Sequence, residues 1–306
     1  MWQPDPAWTA LPAGAGPATV GVWRGIHEGV PAIVKRLGRP GAGDPGVLED
    51  RTHAGYWRRE LEVALDVSAV DGPGLVPPQY LASEEDADGA TIWAVEVVAA
   101  PPTSLLVARS LGRFAGAPYE ERPWAARRTL TDRLALAEAR GGWPTLGRTT
   151  LADVACHLWD HRVQWLARRD EGPLGRLHGD AVPANFVASR GSDVLAVDWQ
   201  GFGIGPIGTD LGYFALSARE DFEVLLEAFV DGVAAVSVAG TPADVASIRT
   251  AAVVMAVYTV FSRAEWALSR VADGEGALAG KFAHPAVAPH LRALQRQIPL
   301  IETLLA

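Results

Sequence analysis

Cysteine is all but missing from this chain: Cys156 is the only one among 306 residues. A lone thiol cannot form an internal disulfide and cannot by itself build a thiolate metal site. A reducing cytoplasm is therefore the expected compartment, and core filling the expected role of Cys156. Cations are also in deficit. Lys and Arg number 27 against 36 Asp and Glu, a formal charge of −9. That balance argues against a sequence-independent nucleic-acid binder, because affinity for a phosphate backbone needs a surplus of cations on one face. Long apolar runs are lacking too. The longest, residues 251–261, is about half of the ~20 residues that a membrane span requires, so a buried helix is expected and no membrane partner. The start of the chain, "MWQPDPAW", carries two prolines and an Asp where an export signal needs a basic start and an apolar run. No internal repeat, coiled coil or low-complexity tract stands out.

What is present is ample core material, with 49% hydrophobic residues, arranged in two textures. Up to about residue 98 the chain reads as short strands: "WTALP", "ATVGVWRGI" and "VPAIVKRL", separated by "AGAGP" and "HEG", with β-branched residues between Gly and Pro punctuation. Residues 38–46 read as a loop. Residues 56–67, "YWRRELEVALDV", have helical periodicity, and "VPPQYLA" and "TIWAVEVV" read as two further strands. Beyond "AAPP" at 99–102 the pattern turns helical. Residues 149–169 read as one helix, residues 241–271 as another with Thr241 at its N-cap and Pro242 at its first position, and a last one falls within residues 284–306. The expected fold class is α+β: a small antiparallel-sheet lobe with one helix, residues 1–98, and a larger, mainly helical lobe, residues 99–306.

One region breaks the helical texture. "LHGDAVPANF", residues 177–186, is followed by "VLAVDWQGFG", residues 194–203. Phosphoryl transfer needs a carboxylate beside the attacking hydroxyl, oxygen ligands for Mg²⁺ and cations on the phosphates, because its transition state gains most from positioning and charge neutralisation. Asp180 is placed in a loop, where it can orient a substrate hydroxyl and accept its proton. Asn185 and Asp198 offer hard oxygen ligands suited to Mg²⁺. The interval from Asp180 to Asn185 equals that of the kinase pattern H-R-D-x-x-x-x-N, with Gly179 in place of the Arg.

On "HGDAVPANF", "VDWQGFGIGP" and "TDLGYF", the sequence resembles the aminoglycoside phosphotransferase and choline kinase family of small-molecule kinases. Ala181, Val182 and Ala184 depart from that family's commoner Leu, His and Gly in this loop. The resemblance implies a protein-kinase-like two-lobe fold and an ATP-dependent transfer to a hydroxyl of a small molecule. It also implies that Lys35, at the end of the third strand, contacts the α- and β-phosphates, and that Glu60 fixes that lysine, with Glu62 a minor competitor. Gly14 and Gly16 fall where backbone amides approach phosphate, although a full GxGxxG is missing. Glu96 and Val98 mark the inter-lobe segment whose backbone contacts adenine. Asp210 braces the catalytic loop, and His178 packs to hold it.

Each piece alone has a plainer reading: a turn, a strand end, a solvated lysine. Their order and spacing together favour the kinase. A nucleotide-binding regulator without turnover is the alternative, and the intact Lys35, Asp180, Asn185 and Asp198 count against it. A protein kinase proper is disfavoured by His-Gly-Asp and by the lack of a long activation segment after Asp198. His157 and His161 share a helix face without a third metal ligand in view, so packed or surface histidines are expected. The eleven tryptophans are assigned to packing rather than to a cation box. For an aminoglycoside acceptor an acidic pocket would suit, and "YEER" at 119–122, Glu265 and Asp273 are the acidic candidates; a sugar, an amino alcohol or another metabolite fits the sequence as well.

Overall fold

A computed structural model describes residues 2–12, 18–236, 244–272 and 284–305 of the chain. A five-stranded antiparallel sheet, ordered β1-β2-β3-β6-β5, occupies the N-terminal third. Its strands are β1 (Thr9–Leu11), β2 (Thr19–His27), β3 (Val30–Gly38), β5 (Tyr80–Glu85) and β6 (Gly89–Val95). The β2–β3 hairpin closes on Glu28 and Gly29, both at positive φ (49° and 83°), the geometry whose twist matches that of the flanking strands. Lys35 sits within β3 rather than at its end, opposite Val22 and Ile92. Helix α1 (Arg59–Leu65) packs against the sheet, burying Glu60, Leu61 and Val63. The expected glycines Gly14 and Gly16 fall in the β1–β2 connection and lie outside the described residues.

"VPPQYLA" does not form one strand. Its first residues make β4 (Leu75–Val76), which pairs in parallel with β9 (Asp193–Ala196) of the C-terminal part, and only from Tyr80 does the chain join the N-terminal sheet. The proline pair at 77–78 supplies the physical reason, since proline cannot donate to a ladder. The C-terminal part is otherwise helical: α2 (Ser104–Gly116), capped by the Thr103 hydroxyl accepting from Leu106 N, α3 (Thr129–Ala139), α4 (Ala152–Asp160) and α5 (Arg162–Asp170). Two short β pairs follow, β7 (Leu174–Leu177) with β10 (Gly203–Pro206) and β8 (Phe186–Arg190) with β9. Helices α6 (Thr209–Ala215), α7 (Phe222–Val236), α8 (Val245–Ala272), α9 (Ala288–Arg296) and α10 (Ile298–Leu305) complete the chain.

The apolar run at 251–261 is the buried middle of α8, and every residue in it is shielded from solvent. By length and composition α8 could cross a membrane, yet 67% of its most apolar window is buried here by the rest of the chain. Thr241 and Pro242 lie outside the described residues; within them Asp244 caps the helix, its carboxylate accepting from Ser247 N at 3.0 Å and Ser247 Oγ at 2.6 Å. Two single-helix expectations are corrected. The segment 149–169 breaks at His161 into α4 and α5, and the last segment breaks at Gln297, where Pro299 enters the first turn of α10. Cys156 is exposed, not in the core. It follows Ala155, which faces inward with Leu158, so the 3.6-residue period turns its thiol to solvent.

Candidate active site

The loop that carries Asp180 leaves β7 and is pinned from below. Asp210, in the first turn of α6, accepts from His178 N at 2.6 Å and Gly179 N at 3.0 Å. Its carboxyl is raised above the ordinary range by burial, which the two amides and His178 oppose. The His178 ring is fully buried, with Nε2 3.0 Å from the Val197 carbonyl and Nδ1 3.3 Å from Asp180 N. The carbonyl can only accept and the amide can only donate, so the proton belongs on Nε2 and Nδ1 is the acceptor. In that tautomer His178 ties the Asp180 turn to the strand end before Asp198.

Glycine at 179 has a structural cause. Its φ is +79°, and a Cβ there would meet the Gly201 carbonyl oxygen at 1.8 Å. A Cβ on Gly201 would in turn lie 2.7 Å from Gly179 C. The two loops thus touch backbone to backbone, which leaves no room for the arginine of the protein-kinase pattern.

Asn185 and Asp198 are brought alongside. Asn185 donates from Nδ2 to the Asp180 carbonyl (2.8 Å) and to Asp180 Oδ2 (3.2 Å), and its own carbonyl accepts from Val197 N at 2.9 Å. Asp198 adopts a left-handed backbone, φ 64° and ψ 62°, a conformation that costs a non-glycine residue on the order of 1 kcal/mol. Trp199 anchors the strained turn: it is fully buried, donates to the Ala196 carbonyl at 3.0 Å and packs on the His178 ring.

From the sheet, Lys35 reaches Glu60 Oε2 at 2.5 Å and Asp198 Oδ1 at 2.7 Å. Burial works against the Lys35 ammonium, but the two carboxylates outweigh it and hold its pKa above the ordinary lysine value. Burial pushes the Glu60 carboxyl up, opposed by Lys35. The competitor Glu62 is committed elsewhere, to Arg58 at 2.5 Å. Asp180 and Asp198 both line one cleft of about 620 Å³, together with His53, Tyr56, Arg133 and Tyr213. The donor set fits a hard divalent cation, because Lys35 and Asp180 occupy Asp198 Oδ1 and Asn185 Nδ2, leaving Asp198 Oδ2 and Asn185 Oδ1 without partners among the described residues.

Glu96 and Val98 follow β6. Glu96 N donates to the Pro31 carbonyl and its carboxylate pairs with Arg24 at 2.6 Å; Val98 is 89% exposed, and its N–H has no acceptor among the described residues. His157 and His161 stack, with centroids 4.1 Å apart, on the exposed break between α4 and α5, and no cluster of three metal-ligating side chains occurs among the described residues. The acidic candidates do not form a pocket. Glu265 is buried and accepts from Thr145 N and Leu146 N, Glu120 and Glu121 pair with Arg122 and Arg127, and Asp273 lies outside the described residues.

Three residues of the site escape a reading by sequence. Arg59, fully buried, spends all five of its N–H groups on main-chain carbonyls of Arg51, His53, Ala54, Trp124 and Gln200. It thereby ties α1 to the turn after Asp198. Tyr80 lies close behind the ion cluster, its phenol raised by burial and by Glu60 and Asp198. Arg133 enters the cleft from α3 and donates to the Gly179 carbonyl at 3.1 Å.

A family model described as "Phosphotransferase enzyme family" matches residues 75–243. No sequence match was found among curated proteins. Among solved structures, choline kinase LicA from Streptococcus pneumoniae is similar over 96% of this chain and 94% of its own, with 14% identity and a TM-score of 0.58. Amicoumacin kinase hAmiN, in complex with AMP-PNP, Ca²⁺ and Ami, covers 98% of this chain and 92% of its own, with 15% identity and a TM-score of 0.60. Macrolide 2'-phosphotransferase MphH from Brachybacterium faecium covers 96% and 92%, with 18% identity and a TM-score of 0.50. At these identities the likeness establishes the fold: α+β, with the two lobes of a protein-kinase-like molecule.

Proposed function

The chain belongs to the phosphotransferase enzyme family, and from that premise we propose that it is an ATP-dependent kinase that phosphorylates a hydroxyl group of a small molecule. The observation that carries the reading is the convergence of Asp180, Asn185, Asp198, Lys35 and Glu60, with Asp180 and Asp198 lining one cleft. Residues 1–98 form the lobe that holds the nucleotide and residues 99–306 the lobe for catalysis and acceptor binding. The adenine lies against the Glu96–Val98 backbone, where the Val98 N–H is unspent.

Lys35 neutralises charge on the α- and β-phosphates, and Glu60 keeps its ammonium aimed into the cleft. Asp198 Oδ2 and Asn185 Oδ1 would hold Mg²⁺, which would offset the negative charge that develops on the phosphate during transfer. Asp180 orients the acceptor hydroxyl and takes its proton as the oxygen attacks the γ-phosphorus. The Asn185 amide, donating to Asp180, keeps that carboxylate turned toward the acceptor. His178 and Asp210 keep the loop in place without touching the reacting atoms.

The test is ATP consumption by the wild type and by Asp180→Asn across a broad panel of hydroxyl-bearing metabolites and antibiotics. Acceptor-stimulated turnover that the variant loses is the expected result. Nucleotide binding with no stimulated turnover across the panel would overturn it.

A further inference from the structure

The next step rests on the phosphotransferase reading and concerns what carries the hydroxyl. Past Asp180 the cleft continues, along Arg133, Leu136 and Tyr213, into a second recess of about 280 Å³. Arg133 of α3, Arg140 just past its C-terminus and Arg263 of α8 line it, and among the described residues no Asp or Glu does. Among the described residues none of these three arginines has a carboxylate partner, and the three share one recess.

The guanidinium groups of Arg133 and Arg263 lie over the Tyr213 ring, 4.8 and 4.4 Å from its centroid. They are thus held no farther apart than roughly one Debye length, ~10 Å at 0.1 M salt, so their repulsion is not screened away. The tyrosine face compensates each cation in part. Among the described residues Arg133 Nη1 is buried with no acceptor, and the hydroxyl of Ser262 in the same recess is buried with no partner. Buried donors are normally satisfied. In a chain of net charge −9, unpaired cations gathered beside the catalytic loop call for an anion, and a planar guanidinium fork suits carboxylate and phosphate oxygens.

We infer that the acceptor is itself an anion, a small hydroxyl-bearing molecule whose carboxylate or phosphate docks on Arg133, Arg140 and Arg263 while its hydroxyl reaches Asp180. The transfer balances: the acceptor O–H proton passes to Asp180, an O–P bond forms to the γ-phosphorus, and the bond from that phosphorus to the β–γ bridging oxygen breaks, releasing ADP. The acidic pocket that would suit an aminoglycoside is not what lines this recess among the described residues.

Matched acceptors decide it. Three-carbon and six-carbon polyols are offered in neutral, amine, carboxylate and phosphate form, with ATP and Mg²⁺. The anionic members should show kcat/KM at least ~10-fold above their neutral and amine counterparts, and the carboxylate and phosphate arms identify which oxyanion is recognised. Arg140→Gln with Arg263→Gln should raise KM for those members about 10-fold or more, change kcat little and erase the preference. Preference for neutral or amine members, or a preference that survives both substitutions, overturns the inference while leaving the kinase reading intact. If nothing turns over, the kinase reading fails instead, and inorganic sulfate still decides the site. At constant ionic strength sulfate should raise the thermal midpoint of the wild type and not of the double variant; equal shifts, or none, overturn the anion site.

Discussion

At the Lys35 end of the cleft every charge has a partner: Lys35 lies between Glu60 and Asp198, Asn185 holds Asp180, and Asp210 holds two amides of the catalytic loop. At the Arg133 end three guanidinium groups share one recess, with no carboxylate among the described residues. The difference teaches where each half gets its order. On the proposed reading, the groups that hold a metal-bound triphosphate are preorganised by their own counter-charges, so little reorganisation is left for the reaction. A wall that selects an acceptor keeps its charges unspent until the acceptor supplies the opposite sign.

The comparison breaks most visibly at Asp180. Asp180→Asn keeps the shape and the contact to Asn185 and removes the proton acceptor, so kcat should fall ~10²–10⁴-fold with nucleotide affinity nearly unchanged; equal loss of both would mean that the carboxylate serves binding. Next comes Arg59, the cation that holds the paired half to its surroundings. Arg59→Lys offers three donors to five carbonyls, and denaturant unfolding should show a loss on the order of 3 kcal/mol. A midpoint like that of the wild type would show those carbonyls to be satisfied otherwise. Glu60→Gln removes one counter-charge from Lys35 and should raise KM for ATP about 10–100-fold, the worth of a charge-assisted hydrogen bond, with the anionic-acceptor preference unaltered.

The smallest effect belongs to a paired charge far from the cleft. Arg36 beside Asp86, at 2.7 Å, holds that carboxyl down at about 2. A carboxyl whose folded pKa lies below its unfolded value of ~3.9 adds stability above that value and loses it as pH falls through about 2. In Arg36→Gln an NMR titration should find the Asp86 midpoint moved up toward ~3.9, with turnover untouched.

Much of the paired half is legible in the sequence for a geometric reason. Asp180 and Asn185 lie five residues apart in one loop, so local turn geometry brings them into contact whatever the rest does. Asp198 closely follows an apolar strand, β9, which the run of hydrophobic residues before it marks, whereas its pairing with Lys35 joins residues remote in sequence. Lys35 is one of only two lysines in the chain, a signal that composition alone offers. Arg59 escapes notice because in "WRRELEV" it reads as a solvated charge. Its five acceptors come from three separate stretches of chain, and no periodicity reports them. Cys156 and the split of "VPPQYLA" escape for a similar reason, since which side of a helix faces the core, and which sheet a short strand joins, depend on partners distant in sequence.

By itself the sequence determined a sheet-rich front, a helical remainder and a loop chemistry of carboxylate, amide and carboxylate, because alternation, helical period and short intervals are properties of neighbouring residues. The tertiary structure alone decided the sign of the acceptor wall. Arg133 of α3 and Arg140, just past its end, meet Arg263 of α8 only through packing, and Glu265, two residues from Arg263, is turned away to hold two main-chain amides.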